Sequence, residues 1–362
     1  MPIPFILAAG AAVAGAAGLF KGGQAISNNS KAKEYIEDAH KKYDSAKDAL
    51  DEQRAVTSKD LEVLGTTKLN AWSNDIGQFV EYFKKFKNVE INGKVNLNEK
   101  LKLQIDSTGN FKNMEVASLK ATEVVKAGVT SLGAGALAGI ASYGGAMMFA
   151  SASTGTAIAT LSGAAATNAT LAWFGGGSLA AGGLGMAGGT AVLGGIVAGP
   201  VLAVAGFIMA AKSEENLANA KKTYSEAKLA AEKMDTMTDF MRKVSDISAN
   251  YNSFINDFSV RFKPVLKNLK SIYSNVKAEQ EKSFINKLKS LLGLEIKIDY
   301  RKLSLEQQKV LQLSWLMAQV QYAVLSAPIL TQEGDLDSNV YTTLDGAKET
   351  SQKLIGTGCK NG

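Results

Sequence analysis

Apolar positions in the first third of the chain recur at alternating steps of four and three. Ala32, Ile36, Ala39, Tyr43, Ala46 and Leu50 follow a 4-3-4-3-4 spacing, and Leu69, Trp72, Ile76, Phe79, Phe83 and Phe86 a 3-4-3-4-3 spacing. This heptad seam predicts a helix from about Ser30 to Val89 that packs lengthwise on other helices. Alanines in its first half permit close approach, while aromatics in the second half predict a thicker core. The pattern returns at Leu217, Ala220, Tyr224, Ala227, Ala231 and Met234, and Tyr251, Phe254 and Phe258 extend that face. Pro264 is expected to kink or interrupt this second helix.

Between the two seams the pattern changes twice. Residues 89–105 alternate apolar and polar around Asn92-Gly93, which predicts a small β-hairpin. Ser107-Thr-Gly109-Asn110 reads as a turn, and Met114 to Lys126 as a short amphipathic helix. Further on, Ser304-Leu-Glu-Gln307 is a capping box that opens a helix to about Leu325, closed by Ala327-Pro328. The tail, 329–362, is rich in Gly, Asp, Thr and Ser and is expected to be loosely held, with Cys359 near its end.

The strongest departure from soluble patterning is a block of 85 residues, 127–211, that contains no Asp, Glu, Lys, Arg or His and holds 20 of the 35 glycines. A soluble helix carries charge on its outer face every few residues, so this block predicts membrane segments, at about 127–150, 155–174 and 178–211. Lys120 and Lys126 precede it, and Lys212, Lys221 and Lys222 follow it. Basic flanks on both sides favour an even number of crossings. Lipid supplies no hydrophobic drive for helix association, so contact must come from close backbone packing. Gly135 and Gly139, Gly185 and Gly189, and Gly195 and Gly199 each stand four apart and predict such packing faces. Gly18 and Gly22 repeat the spacing at the end of a shorter apolar stretch, Ile3 to Phe20. No Lys or Arg precedes that stretch, so it is expected to be retained as a membrane-active helix rather than cleaved as a secretion signal.

Charge adds a second feature. The net charge is +6, and residues 261–302 alone hold eleven basic groups against four acids. Lys263, Lys267, Lys270, Lys277, Lys287 and Lys289 are the candidate contacts to an anionic membrane surface. Candidate chemistry is scarce. One His and one Cys exclude a Cys/His zinc site and a disulfide framework. His40 is expected on the solvated side of its helix. Gly183-Leu-Gly185-Met-Ala-Gly188 spells a dinucleotide-binding pattern, but no strand precedes it and no acid stands where a ribose would need one. The expectation is therefore a protein that is not an enzyme, with no cofactor, no metal, no small-molecule substrate and no nucleic-acid partner.

The charge-free block 127–211, the bracketing helices 30–89 and 212–290, and the small β element at 89–105 resemble the layout of α-helical pore-forming toxins of bacteria, the cytolysin A and haemolysin BL type. Apolipoprotein L and colicin channel formers are looser parallels. The resemblance implies a dormant form that inserts its apolar module and oligomerises to breach a membrane. The expected architecture is all-α: an elongated helical bundle or coiled-coil body, a glycine-rich apolar membrane-inserting module, and a small β-hairpin element. Its parts are an apolar N-terminal helix (1–23), a helical stalk with the β element (30–126), the membrane module (127–211), a second stalk with basic helices (212–328) and the tail (329–362). The expected function is a membrane-permeabilising effector. Its partners would be an anionic lipid bilayer and further copies of itself or components of an assembly. It would be membrane-associated, and before insertion cytoplasmic or released without a signal peptide. The alternatives are a resident integral membrane scaffold or sensor with a cytoplasmic coiled coil, and a structural assembly subunit.

Overall fold

The computed structural model describes residues 30–89, 107–129, 134–143, 217–281, 297–331 and 335–358, and these are mostly helical. In chain order the elements are α1 (Ser30–Ala71), a π-helical turn (Trp72–Ile76), α2 (Gly77–Phe83), β1 (Phe86–Lys87), α3 (Ser107–Ala127), α4 (Ala134–Tyr143), α5 (Leu217–Glu281), β2 (Ile298–Asp299), α6 (Leu305–Ser326) and α7 (Val340–Gly358). The chain divides into two compact units, with boundaries after Leu61 in α1 and after Ile247 in α5.

The first unit is built on residues 30–61 of α1 and 217–247 of α5. The predicted seam is its core: Ala39, Tyr43, Ala46 and Leu50 pack with Ala227, Ala230, Ala231, Met234, Met237 and Met241. Tyr35 meets Tyr224 edge to face at 5.6 Å. The Thr57 hydroxyl donates to the Met241 carbonyl at 3.1 Å, and Ser245 donates to the Asp60 carboxylate. Partners advance together along both helices, so the pair is parallel. Small alanines let the backbones approach, and the flexible methionines fill the wider end. His40 is half-buried rather than solvated, and its Nε2 has no hydrogen-bond partner among the described residues.

The second unit takes the rest of α1 and α5 with α2, α3, α4, α6 and α7. Leu69, Trp72, Ile76, Phe79, Phe83 and Phe86 are all buried, as their spacing predicts. Phe79, Phe83 and Phe111 surround Trp315, with ring centroids 5.2 to 6.2 Å from the indole. Here too α1 and α5 run parallel, with Thr67 donating to Asn252 at 2.6 Å. The Ser304 capping box forms as read, its hydroxyl accepting from the Gln307 N–H while the Gln307 side chain accepts from the Ser304 N–H.

Several expectations are corrected. The first helical run ends at Phe83, not Val89: Lys84 and Lys85 turn, and Asn88 adopts a positive φ of 55°. The described β element is a parallel pair, Phe86 opposite Ile298 and Lys87 opposite Asp299. The hairpin predicted around Asn92-Gly93 lies outside the described residues. Ser107-Thr-Gly109-Asn110 is the first turn of α3, not a loop. Pro264 sits inside an unbroken α5. Pro264 is exposed and so is Val260, the residue whose carbonyl loses its helical donor, so water can satisfy that carbonyl. The tail is not loose where it is described. Val340, Leu344, Ala347, Ser351 and Leu354 follow a 4-3-4-3 spacing and are buried as one face of α7.

Candidate functional site: a buried lysine at two helix ends

Leu64, Lys68, Trp72, Asp75 and Phe79 form one stripe along α1, the π turn and α2, and all five are buried. Two of them are charged residue types, and each is handled differently. Lys68 has no exposed surface. Its Nζ donates to the Ala141 carbonyl at 3.0 Å and to the Ala327 carbonyl at 2.9 Å. Ala141 lies in the last turn of α4, and Ala327 is the C-cap of α6. The last carbonyls of a helix lack an internal donor and carry the negative end of its dipole. A single side chain thus satisfies acceptors from two helices at once.

The same region holds α4 by two further contacts. The Ile329 N–H donates to the Ser142 carbonyl at 2.6 Å. Gly65, one turn before Lys68, lies so close to α4 that a Cβ there would stand 2.0 Å from the Leu137 carbonyl oxygen. Leu137, Ile140 and Ala141 of α4 are buried. The fully described part of the apolar block is therefore docked, by backbone contact and by one buried amine.

Burial lowers the Lys68 pKa from its ordinary value to about 7. Accepting carbonyls favour the charged form, and the Tyr251 ring face, 5.6 Å from Nζ, does the same. The neutral amine has two N–H groups for two carbonyls, a matched set. The Tyr251 hydroxyl is occupied elsewhere, donating to the Val340 carbonyl at 2.7 Å at the start of α7. Burial raises that phenol far above its usual range, with Asp337 and Asp345 contributing.

Asp75 is the second charged residue of the stripe. The π turn, closed by the Gly77 N–H on the Trp72 carbonyl, carries it into the core. Ser259 donates to its carboxylate, and Gln321 Nε2 donates at 2.6 Å. Truncation to Asp75→Ala would remove the acceptor of both, leaving Gln321 Nε2 its 3.3 Å bond to the Ser259 hydroxyl, and a buried donor left unsatisfied costs about 1–3 kcal/mol. We expect the urea midpoint of this variant to fall with an unchanged slope. An unaltered midpoint would mean that water replaces the carboxylate.

The predicted contact residues distribute unevenly. Gly135 and Gly139 belong to α4, where the observed close approach is made by Gly65 of α1 onto Leu137, the residue midway between them. Gly18, Gly22, Gly185, Gly189, Gly195, Gly199, Lys287 and Lys289 lie outside the described residues. Lys263, Lys267 and Lys270 are exposed beside the buried stripe Phe262, Leu266 and Leu269. Lys270 stands 5.8 Å over the Tyr82 ring, and the half-buried Lys277 stands 6.0 Å over Tyr273. Among the described residues no group of three or more His, Cys, Asp or Glu could hold a metal, and no helix is long and apolar enough to cross a membrane. Compared with protein families, curated proteins and solved structures, the chain gives no match.

Proposed function

We propose that the protein is a membrane-permeabilising effector that keeps its apolar block sheltered until it meets a bilayer. The observation that carries this reading is the charge-free block 127–211, set between two long helices that pack in parallel. Twenty glycines make isolated helices of that block poor in water, at about 1 kcal/mol for each. Close packing, on the body or in lipid, would offset that cost. The docking of α4 against Gly65 and Lys68 supports a sheltered form. The exposed row Lys263, Lys267 and Lys270 supports attraction to an anionic leaflet. The membrane-bound form would assemble from several copies, and the likeness to α-helical pore-forming toxins belongs to the same proposal.

The test is dye release from anionic and neutral liposomes by detergent-free protein over a range of concentrations. Steep release that depends on lipid charge is the expected result. Replacing Gly135, Gly139, Gly195 and Gly199 by leucine should abolish release with helix content preserved. Changing Lys263, Lys267 and Lys270 to glutamine should weaken partition into anionic vesicles by about 100-fold, at roughly 1 kcal/mol for each lysine near the surface at low salt. Protein that exists only in detergent would favour the resident membrane scaffold, and soluble protein without release at any lipid composition would exclude the effector.

A further inference from the structure

We propose that Lys68 is the latch of an autoinhibitory contact: its buried amine ties the end of the first apolar-block helix to the helical body, and protonation of that amine opens the contact. The inference rests on the membrane reading for its purpose, but the contact itself is a property of the second unit alone.

The geometry identifies the group that holds the contact. Lys68 Nζ reaches Ala141 of α4 and Ala327 after α6, so the end of α4 is fastened through this nitrogen and through the Ile329–Ser142 backbone bond. The elements around it place few charges near it. α4 contains no charged residue, and α6 keeps its two, Glu306 and Lys309, in its first turns while bringing Tyr322 against Trp72. From α5 the Tyr251 ring faces the amine, with Asp337 and Asp345 acting on that phenol. On its own stripe the next charged residue is Asp75, engaged by Ser259 and Gln321. Among the described residues no carboxylate is hydrogen-bonded to Lys68 to compensate a positive charge; its contacts there are the two carbonyls and the ring face.

The sign follows from linkage. A buried lysine whose pKa is lower when closed than when open favours the closed state at high pH. That advantage is lost as pH falls from the ordinary lysine value of 10.5 toward about 7, and it changes little further below. Between pH 8.5 and pH 6 the opening equilibrium should rise by about 30-fold. Carboxylates titrate below this window and tyrosines above it. The single histidine, His40, belongs to the other unit.

The experiment is hydrogen exchange on the full chain without lipid, corrected for intrinsic rates, following peptides from 134–143 against reference peptides from 248–269. Wild type should lose protection in 134–143 by about 30-fold between pH 8.5 and pH 6, with the reference flat. The His40→Gln variant should behave the same way. Lys68→Met should be open at both pH values, because two carbonyls lose their donor, and its pH dependence should vanish. Lys68→Arg, charged throughout, should likewise be pH-independent in this window. A flat wild-type profile overturns the latch even if neither variant folds, and so does a Lys68→Met profile that keeps the wild-type slope. Dye release separates this inference from the proposed function. Exchange that opens with acid but no release at any pH removes the membrane reading and leaves the latch, whereas release with a flat exchange profile does the reverse.

Discussion

Gly65→Ala should detach α4 from α1, although alanine is the better helix former. The gain in helix propensity is about 1 kcal/mol in favour of the variant. Against it stands a methyl carbon placed 2.0 Å from the Leu137 carbonyl oxygen, 2.7 Å from the carbonyl carbon and 3.0 Å from Cα. All three are backbone atoms, so no side chain can swing aside, and α4 itself must retreat by more than an ångström. Overpacking of a core contact costs about 1–3 kcal/mol, occasionally more. The retreat would also stretch the Lys68–Ala141 bond, now 3.0 Å. The clash therefore outweighs the propensity gain. The expected result is at least tenfold faster corrected exchange in 134–143, with the reference peptides of α5 unchanged. Equal or greater protection in the variant would show that α4 is not held here.

The second large effect concerns the body rather than the apolar block. Trp315 is 2% exposed and lies among Phe79, Phe83 and Phe111. Truncation of a buried aromatic to alanine costs about 3–5 kcal/mol, because the transfer energy is lost and the cavity only partly collapses. Small domains have roughly 5–15 kcal/mol in total, so Trp315→Ala should remove a large share of the second unit's stability. Trp315→Phe keeps most of the volume and should cost far less. Urea unfolding followed by helix signal should show the alanine midpoint well below that of the phenylalanine variant. Coincident midpoints would mean that the four rings do not form a cooperative core.

The parts of this fold legible in the sequence are those whose burial follows one repeating rule. Ala39, Tyr43, Ala46 and Leu50, and Leu69 through Phe86, are apolar at every heptad step and are buried. Lys68 and Asp75 obey the same rule in position but not in chemistry. Leu64, Lys68, Trp72, Asp75 and Phe79 step 4-4-3-4, and a charged residue inside such a stripe is the signal that points to a buried polar site. Read as solvent-facing residues, both disappear into the charge background of a long helix. The partners of Lys68 could not be foreseen, because Ala141 and Ala327 take part through backbone carbonyls that no side chain announces. The α7 face was readable too. Val340, Leu344, Ala347, Ser351 and Leu354 carry a helical step, obscured by the Gly, Thr and Asp between them. Gly65 was hidden differently, since a lone glycine in a helix marks a close approach only once the neighbouring backbone is known.

Parallel pairing of α1 and α5 has a topological consequence. Tyr35 and Tyr224 meet near the two N-terminal ends, so the chain enters both helices from the same side of the pair. Immediately upstream of one entry runs the apolar stretch Ile3 to Phe20, and upstream of the other runs 178–211. An antiparallel pair would have put the two helix starts at opposite ends of a rod roughly 45 Å long over residues 30–61. Here the two helices begin at the same end of the first unit, and in the sequence Lys31 and Lys33 stand near one start and Lys212, Lys221 and Lys222 near the other. Under the proposed function, a bilayer reached through either apolar stretch would therefore be met from the same end of this helix pair.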